Sequence, residues 1–342
     1  MKRRKSILGL GSVAVTAALL LAGCSTAAEE TAPEETTTEE ATTETETYTV
    51  GIAGANYAIE AARAQYESLA AGLIERGMEP VFLDAALDIN NQVSQLDQFV
   101  DQGVDAIVVN LAGDPNAVVG PLQRAVEAGI DLFAIGAVPG IEEILVQVDL
   151  PSEELGTLSG QYMCEATGGT GEIAMIEAID IPVLAARWNS FRATIEAECP
   201  ELTVVASERA IPDDAATARP IAEDLLTRFP NLKGIWTMGD GVALGAGLAA
   251  TAAGRDIIVT GLNGESQGID GIKQGAITAT WDMLPTDIGL QLAEKVADIL
   301  EGKVERPAST EVFTVTGLTE WTADNVADWK AYDQRVAYPG IQ

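Results

Sequence analysis

The sequence predicts an α/β protein of two doubly wound parallel-sheet lobes, joined by a hinge and separated by a cleft. Three observations predict this fold. A length of 342 residues is enough for two domains of ordinary size. Continuously apolar strands alternate with helix-period segments, which is typical of parallel sheets covered by helices on both faces. Glycines that end helices recur every 26 residues in the first half, at Gly77, Gly103 and Gly129.

The first lobe opens with an apolar strand at 48–53, and a helix-period segment follows at 59–76. Each recurring glycine suits the left-handed conformation just past a helix and precedes another apolar run. Asp114-Pro115 marks the start of the third helix, because proline is favoured at the first helical position. The further strands of this lobe are predicted at 80–83, 106–109 and 132–135.

The second half of the chain repeats this scheme. Helices are predicted at 153–166, 185–198, 215–228, 242–253 and 285–302. Strands are predicted at 172–176, 203–206, 234–237, 257–261 and 276–282. The C-terminal stretch, which contains Trp321, Trp329 and Tyr332, is expected to form a helix packed on the second lobe. Ligands of doubly wound sheets bind outside the carboxyl ends of the strands, so a cleft between two such lobes is the expected site.

The composition excludes several kinds of chemistry. There are 52 acidic and 20 basic residues, a formal net charge of −32, which argues against nucleic-acid binding. The chain has no histidine, so histidine-dependent catalytic triads and histidine metal sites are excluded. We find no compact spacing of metal ligands and no complete nucleotide or dinucleotide fingerprint, and we expect no cofactor.

The first 24 residues have the pattern of a secretory signal. Lys2, Arg3, Arg4 and Lys5 precede an uncharged apolar run from 7 to 22. Leu21-Ala22-Gly23-Cys24 resembles the lipobox of bacterial lipoproteins, in which the cysteine is lipidated and becomes the first mature residue. Residues 25–47 hold eight glutamates and no base, which predicts a disordered tether. The acyl chains would be the only membrane attachment.

Two further features have competing interpretations. Gly264-Glu265-Ser266-Gln267-Gly268 fits the G-x-S-x-G pattern of a nucleophile elbow, but no histidine is present to activate Ser266. Cys164 and Cys199 each lie near the end of one of the first two helices of the second lobe. Export permits a disulfide between them, and we favour it over two buried thiols.

Several segments resemble the type I periplasmic-binding family, the sugar-binding receptors of bacterial ABC importers. The resemblance covers residues 48 to 315 and implies an extracytoplasmic protein that closes two lobes around a small solute. Its segments are Asn110-Leu111-Ala112-Gly113-Asp114-Pro115-Asn116-Ala117, Ala186-Arg187-Trp188-Asn189-Ser190-Phe191, Gly239-Asp240-Gly241-Val242-Ala243-Leu244-Gly245-Ala246, Val259-Thr260-Gly261-Leu262-Asn263-Gly264 and Ala279-Thr280-Trp281-Asp282-Met283-Leu284-Pro285 with Gly289.

The resemblance also implies where a ligand binds. Arg187 matches the family's ligand-binding arginine, whose planar fork donates paired hydrogen bonds. Asn263 stands where the family usually has a hydroxyl-accepting aspartate. Asn56 and Tyr57 lie where the family offers polar and aromatic contacts. Trp281 is expected either to stack on a ligand ring or to pack in the core.

Other positions depart from the family. Met283 replaces a polar contact, and Gly136 with Ala137 replaces the Asp-Arg pair of ribose binders. Asp240 follows Gly239, where the family usually has asparagine, and is expected to cap a helix more than to touch ligand. We therefore expect a roomier and less polar site than that of a ribose binder.

The resemblance places the hinge crossings near Asp149, Met283 and Val312. The first lobe is then 48–148 plus 284–311, and the second is 149–283 plus 312–342. Expected partners are a small ligand, most simply a sugar or sugar derivative, and a membrane permease. The protein is expected to be a monomer, anchored by lipid on the outer face of the cytoplasmic membrane, and not an enzyme.

Three alternatives remain open. In the first, the same fold serves as a sensor that reports a bound ligand to a membrane receptor. In the second, the ligand is not a sugar but a nucleoside, a signalling molecule or an amino-acid-like solute. The third is an exported hydrolase with two facing carboxylates, for which Asp240 and Asp282 are the candidates.

Overall fold

The structure, a computed structural model, describes residues 47–178 and 182–337. The predicted signal peptide, Cys24 and residues 25–46 of the predicted tether lie outside these ranges. The strands are β1 Thr49–Gly54, β2 Glu79–Asp84, β3 Ala106–Asn110, β4 Asp131–Ile135, β5 Ile144–Asp149, β6 Thr170–Glu177, β7 Glu201–Arg209, β8 Leu232–Thr237, β9 Ile258–Thr260, β10 Ala279–Asp282, β11 Glu311–Thr314 and β12 Thr319–Thr322.

The helices alternate with these strands, as the sequence pattern predicts. They are α1 Glu60–Glu75, α2 Ile89–Gln102, α3 Val119–Glu127, α4 Ser152–Thr167, α5 Pro182–Glu198, α6 Ala215–Arg228, α7 Asp240–Ala252, α8 Ser266–Lys273 and α9 Pro285–Leu300.

Two sheets organise the described residues. The first has the strand order β11-β5-β4-β3-β1-β2, and all its pairings are parallel. The second has the order β12-β10-β9-β8-β6-β7, and only the pairing of β12 with β10 is antiparallel. Helices α1 and α9 pack together in the first lobe, and α4 packs on α5 and α6 on α7 in the second. The predicted fold class, two doubly wound α/β lobes, is confirmed.

Local signals explain where several helices begin and end. Asp88 accepts a hydrogen bond from the backbone of Asn90 at 2.8 Å at the start of α2. Gly103 ends the same helix with φ 66°, a left-handed conformation in which a Cβ would be penalised. Asp214 caps α6 by accepting from the backbone of Thr217 at 2.8 Å. Such caps satisfy backbone groups that a helix end leaves unpaired.

The structure corrects two sequence-based expectations about local structure and adds one helix. Asp114 caps a short 3-10 helix at Pro115–Ala117, and α3 begins only at Val119. The C-terminal stretch forms β12 and short 3-10 helices instead of a helix, because β12 pairs with the otherwise free edge of β10. Helix α8 was not predicted from the sequence.

The positions at which the chain crosses from one lobe to the other follow from which sheet each strand belongs to. β5 ends at Asp149 in the first sheet, and β10 ends at Asp282 in the second. Val312 pairs with Gln147 in β5, so β11 belongs to the first sheet. The third passage therefore lies between β11 and β12, and the position predicted near Val312 is too early.

Two observations concern the predicted exported state. Within the described ranges, none of the helices has the length and apolar character needed to cross a membrane. Cys164 and Cys199 are joined by a disulfide, and their Cα atoms lie 5.8 Å apart. This separation is within the usual range for such a bond.

Candidate functional site

A cavity of about 140 Å³ lies between the lobes, at the carboxyl ends of both sets of strands. Both lobes line it, and most lining side chains are apolar. The first lobe contributes Ala55, Asn56, Ile59, Ala61, Ala62, Gln65, Leu87, Asn110 and Leu111, and Leu150 lines the cavity just after β5, where the chain leaves this lobe. The second lobe contributes Ala178, Leu184, Arg187, Ala210, Ile211, Pro212, Asp213, Met238, Asn263 and Met283.

Among the described lining residues, Arg187 on α5 is the one cation, and only 3% of it is exposed. One terminal nitrogen, Nη1, donates to Asn263 Oδ1 at 2.8 Å and to the carbonyl of Met238 at 3.2 Å. The other, Nη2, lies 3.9 Å from the sulfur of Met283. Burial lowers the pKa of Arg187 to about 10, and the carboxylates of Glu265, Asp213 and Asp240 oppose that shift.

Asn263 orients this arginine. Its backbone has φ 105°, a region that asparagine tolerates better than most residues. Its N–H donates to the carbonyl of Trp281 at 3.0 Å, and its carbonyl accepts from the Tyr332 hydroxyl at 2.7 Å. Its side-chain Nδ2 lies 3.5 Å from Glu265. These contacts direct Oδ1 towards Arg187, so the arginine has already engaged the predicted ligand acceptor.

Two other predicted residues lie at the same cavity. Asn56 lines it, while its side-chain oxygen accepts from the backbone of Ala58 at 3.0 Å in the turn before α1. Met283 lines it directly after β10. The structure therefore brings Arg187, Asn263, Asn56 and Met283 together around one cavity.

Tyr57 is not among the lining residues, although it is adjacent to Asn56. Its hydroxyl donates to Glu67 on α1, and its ring packs on Phe82 with centroids 5.2 Å apart. Burial, together with the Glu67 contact, raises the pKa of Tyr57 to about 12. The aromatic ring that was expected to contact the ligand therefore packs instead against Phe82 of β2, with its hydroxyl on Glu67 of α1.

Trp281 lies in the core and not at the cavity. It is 1% exposed and meets Tyr162 of α4 edge to face, with centroids 5.5 Å apart. Met283 lies beyond the end of β10, so the alternation of a strand no longer relates the two side chains. Of the two interpretations that the sequence allowed, core packing is the one that the structure supports.

Asp240 is also away from the cavity. It is fully buried and accepts from the backbone of Glu265 at 2.6 Å, against the backbones of Gly261 and Gly268. Burial and the nearby Glu265 carboxylate raise the pKa of Asp240. Asp240 was expected to cap its own helix, α7, but the N-cap residue of α7 is Gly239. The carboxylate of Asp240 lies instead at the start of α8, where it accepts from Glu265.

Gly136 lines a second, larger cavity of about 520 Å³, together with Ala137. The two cavities share Asn110, Leu111 and Leu150. Gly136 has φ 77°, and its N–H donates to the carbonyl of Val148 at 2.8 Å. The apolar lining of the inner cavity agrees with the expectation of a less polar site, whereas its small volume does not provide the extra room expected.

Sequence reasoning missed two acidic residues near the cavity. Asp213 lines it, and burial raises its pKa. Glu265 is 4% exposed, and burial raises its pKa to about 7, with Glu60 and Asp213 adding to the effect. Glu265 lies in the G-x-S-x-G segment, but only the folded chain brings it beside the first lobe, where it accepts from the backbone of Ala61 at 3.0 Å.

The residues suggested for a hydrolase have other partners. The hydroxyl of Ser266 donates to Glu60 at 2.5 Å. Asp282 is fully buried and pairs with Arg335 at 2.6 Å. Neither Asp240 nor Asp282 lines the cavity, so this pair does not face a substrate across the cleft.

The family of the chain follows from comparison with known sequences. Residues 35–304 match the family described as periplasmic binding protein domain, and the chain belongs to that family. It is 27% identical over 150 residues to the ribose import binding protein of Salmonella typhimurium, an alignment of 43% of this chain and 50% of that protein. It is 30% identical over 140 residues to the D-allose-binding periplasmic protein of Escherichia coli, covering 40% and 44% of the two chains. The chain thus spans about half the length of the curated relatives it matches.

Solved structures of solute-binding proteins share the fold. An ABC sugar transporter subunit from Rhodobacter sphaeroides matches with a TM-score of 0.72 and 26% identity, covering 81% of this chain and 99% of that one. An ABC transporter solute-binding protein from Bacillus halodurans, solved with bound myo-inositol, matches with a TM-score of 0.73 and 22% identity, covering 82% and 96%.

Proposed function

We propose that this protein is an extracytoplasmic solute-binding protein of an ABC importer, which captures a sugar or sugar derivative and delivers it to a membrane permease. The observation that carries the proposal is Arg187, a buried guanidinium beside a small cavity to which both lobes contribute. The family to which the chain belongs, and relatives that are named for ribose and allose, support a carbohydrate ligand. Binding is non-covalent.

The proposed ligand contacts are Arg187, Asn263, Asn56 and Met283. Arg187 and Asn263 supply hydrogen bonds to ligand oxygens, and their mutual bond at 2.8 Å fixes the geometry in advance. The apolar walls favour a deoxy or otherwise less polar sugar, because each buried hydroxyl without a partner is costly. Gly136 and the larger cavity provide room for a substituent.

The experiment is mass spectrometry of small molecules released from the purified, denatured protein, followed by calorimetric titration with the compound found. A released sugar that rebinds supports the proposal. A nucleoside or amino-acid-like compound would replace the sugar assignment. No released compound and no heat with D-ribose, D-allose or myo-inositol would contradict it. Turnover of the released compound by the pure protein would favour the hydrolase.

We also propose that the protein is anchored through lipid on Cys24, on the outer face of the cytoplasmic membrane, and acts as a monomer. The motif Leu21-Ala22-Gly23-Cys24 behind a basic segment supports the lipid anchor. Cys24→Ser should leave the chain unlipidated and change its fractionation. An unmodified mature N-terminus in the wild type would contradict the anchor.

A further inference from the structure

Two helix N-termini meet where the lobes contact each other. Helix α1 of the first lobe begins at Glu60, and helix α8 of the second begins at Ser266. In neither helix does the N-cap side chain, Ile59 or Glu265, accept a hydrogen bond from its own helix. The first backbone N–H groups of a helix need acceptors, so both ends depend on groups from elsewhere.

Each helix receives its acceptor from the other lobe. Glu265 Oε1 accepts from the backbone N–H of Ala61 at 3.0 Å. In return, Glu60 Oε2 accepts from the backbone N–H of Ser266 at 2.9 Å, and Oε1 accepts from the Ser266 hydroxyl at 2.5 Å. The partners are 204 to 206 residues apart in sequence. Both carboxylates also sit at the positive ends of helix dipoles, where negative charge is favoured.

The second-lobe half of this arrangement is held rigidly. The backbone of Glu265 donates to the buried Asp240 carboxylate at 2.6 Å, which anchors Glu265 in its own lobe. The side chain of Glu265 is thereby presented to α1. Separation of the lobes breaks all three hydrogen bonds, and it leaves both helix ends to be capped by water.

We propose that Glu60 and Glu265 form a reciprocal capping clasp, which holds the lobes in contact and governs how long a ligand is retained between them. The proposal rests on the proposed function, because it assumes that the lobes separate when a ligand enters or leaves. The clasp residues lie beside the cavity and act on the lobes, whereas Arg187 acts on the ligand.

The test is amide hydrogen exchange at single-residue resolution on the ligand-free, full-length protein. Glu60→Ala removes the acceptor of Ser266 and leaves the acceptor of Ala61 in place. If the clasp holds the lobes, exchange at both amides should become at least about tenfold faster, after correction for intrinsic rates. Glu265→Ala removes the acceptor of Ala61 and leaves the acceptor of Ser266 in place, and it should likewise accelerate exchange at both amides. Acceleration at only the amide whose own acceptor was removed would reduce the contacts to local caps and overturn the proposal.

Two kinds of variant keep the result interpretable. Glu75→Ala on α1 and Asp270→Ala on α8 remove exposed acids of the same helices and should leave both amides unchanged. Glu60→Gln retains an acceptor oxygen and should restore protection at Ala61, where Glu60→Ala loses it. Failure of this rescue in a folded variant would also count against the clasp. Because no ligand is added, the outcome does not depend on whether the ligand is a sugar.

Discussion

The two lobes share a sheet topology but contribute different chemistry to the cleft. Among the lining residues that the structure describes, those of the first lobe carry no ionisable side chain, whereas the second lobe contributes Arg187 and Asp213. Asn110 of the first lobe is engaged within its own lobe, accepting from Tyr66 of α1 at 2.7 Å and donating to the carbonyl of Ile135 at 2.8 Å. Arg187 still has one buried nitrogen, Nε, without a hydrogen-bond partner among the residues that the structure describes.

This difference teaches that a repeated scaffold need not repeat its site. The first lobe supplies an apolar wall, and the second supplies the buried charge of Arg187, which Asn263 holds in place. Charge in the second lobe is therefore expected to determine affinity. The first lobe is expected to affect the site mainly through closure, at α1. Substitutions can separate the contributions of the second-lobe core, the Cys164–Cys199 disulfide, the ligand contact of Arg187 and the closure of the lobes.

The largest expected effect is on the core of the second lobe. Trp281→Ala should lower the free energy of unfolding by about 3–5 kcal/mol, because it empties a fully buried space beside Tyr162. Denaturant unfolding measures this, with Trp329→Ala as a control, since Trp329 is only half-buried. A loss of ligand affinity with unchanged stability would instead return Trp281 to the ligand site.

The disulfide should stabilise the second lobe selectively. Cys164 and Cys199 close a loop of about 35 residues, which corresponds to roughly 3–4 kcal/mol from chain entropy. Reduction should therefore accelerate hydrogen exchange in α4 and α5 more than in α1 and α9. Thiol titration of denatured, unreduced protein checks the bond itself. Two reactive thiols beyond Cys24 would exclude it.

Arg187→Ala should weaken binding of the released compound by about 2–4 kcal/mol, because ligand oxygens and Asn263 would lose a buried donor. The fold should survive. Arg192→Ala is the matched control, since Arg192 lies on the same helix but pairs with Glu177 away from the cavity. Calorimetric titration and thermal melts measure both variants. Near-wild-type affinity in Arg187→Ala would refute the site assignment.

Ligand affinity should depend on pH through Glu265, the smallest effect expected. Burial raises its pKa to about 7, above the ordinary value for glutamate of about 4.3. Part of that burial, through α1, and the nearby Glu60 carboxylate come from the first lobe, so closure is expected to raise the pKa. The closed form therefore takes up a proton in this interval, so affinity should rise as the pH falls from 8 to 5, by less than about tenfold per pH unit. The protonated group still accepts from Ala61 through its carbonyl oxygen. The charged or titratable groups that face Glu265 are Glu60, Arg187, Asp213, Asp240 and Tyr332.

Glu265→Gln should flatten this pH dependence and raise the affinity at pH 8, because the amide resembles the protonated acid. Asp213→Asn is the control, since burial also raises the pKa of Asp213. Calorimetry from pH 5 to pH 8 measures the three proteins. A slope that persists in Glu265→Gln and disappears in Asp213→Asn would assign the proton to Asp213.

Short-range patterns allowed most elements to be located from the sequence. Helix α6 was predicted at 215–228 and has those bounds, because Asp214 caps it and an apolar face repeats along it. The placement of Arg187, Asn263, Asn56 and Met283 at one cavity followed from family resemblance. Tyr57 and Trp281 were harder to place. Tyr57 is adjacent to Asn56 and Trp281 is two residues from Met283, but beyond the end of a strand such neighbours need not face the same direction.

The sequence by itself determined the alternation of apolar strands and helices, the doubly wound class and the acidic, histidine-free chemistry. These properties depend on residues within one turn or one strand of each other. Only the tertiary structure decided that Asp240 supports α8, that β12 closes the edge of β10, and that Glu265 and Glu60 cap helices of opposite lobes. Those contacts join residues far apart in the chain, and their acceptors are chosen by packing, which no local pattern records.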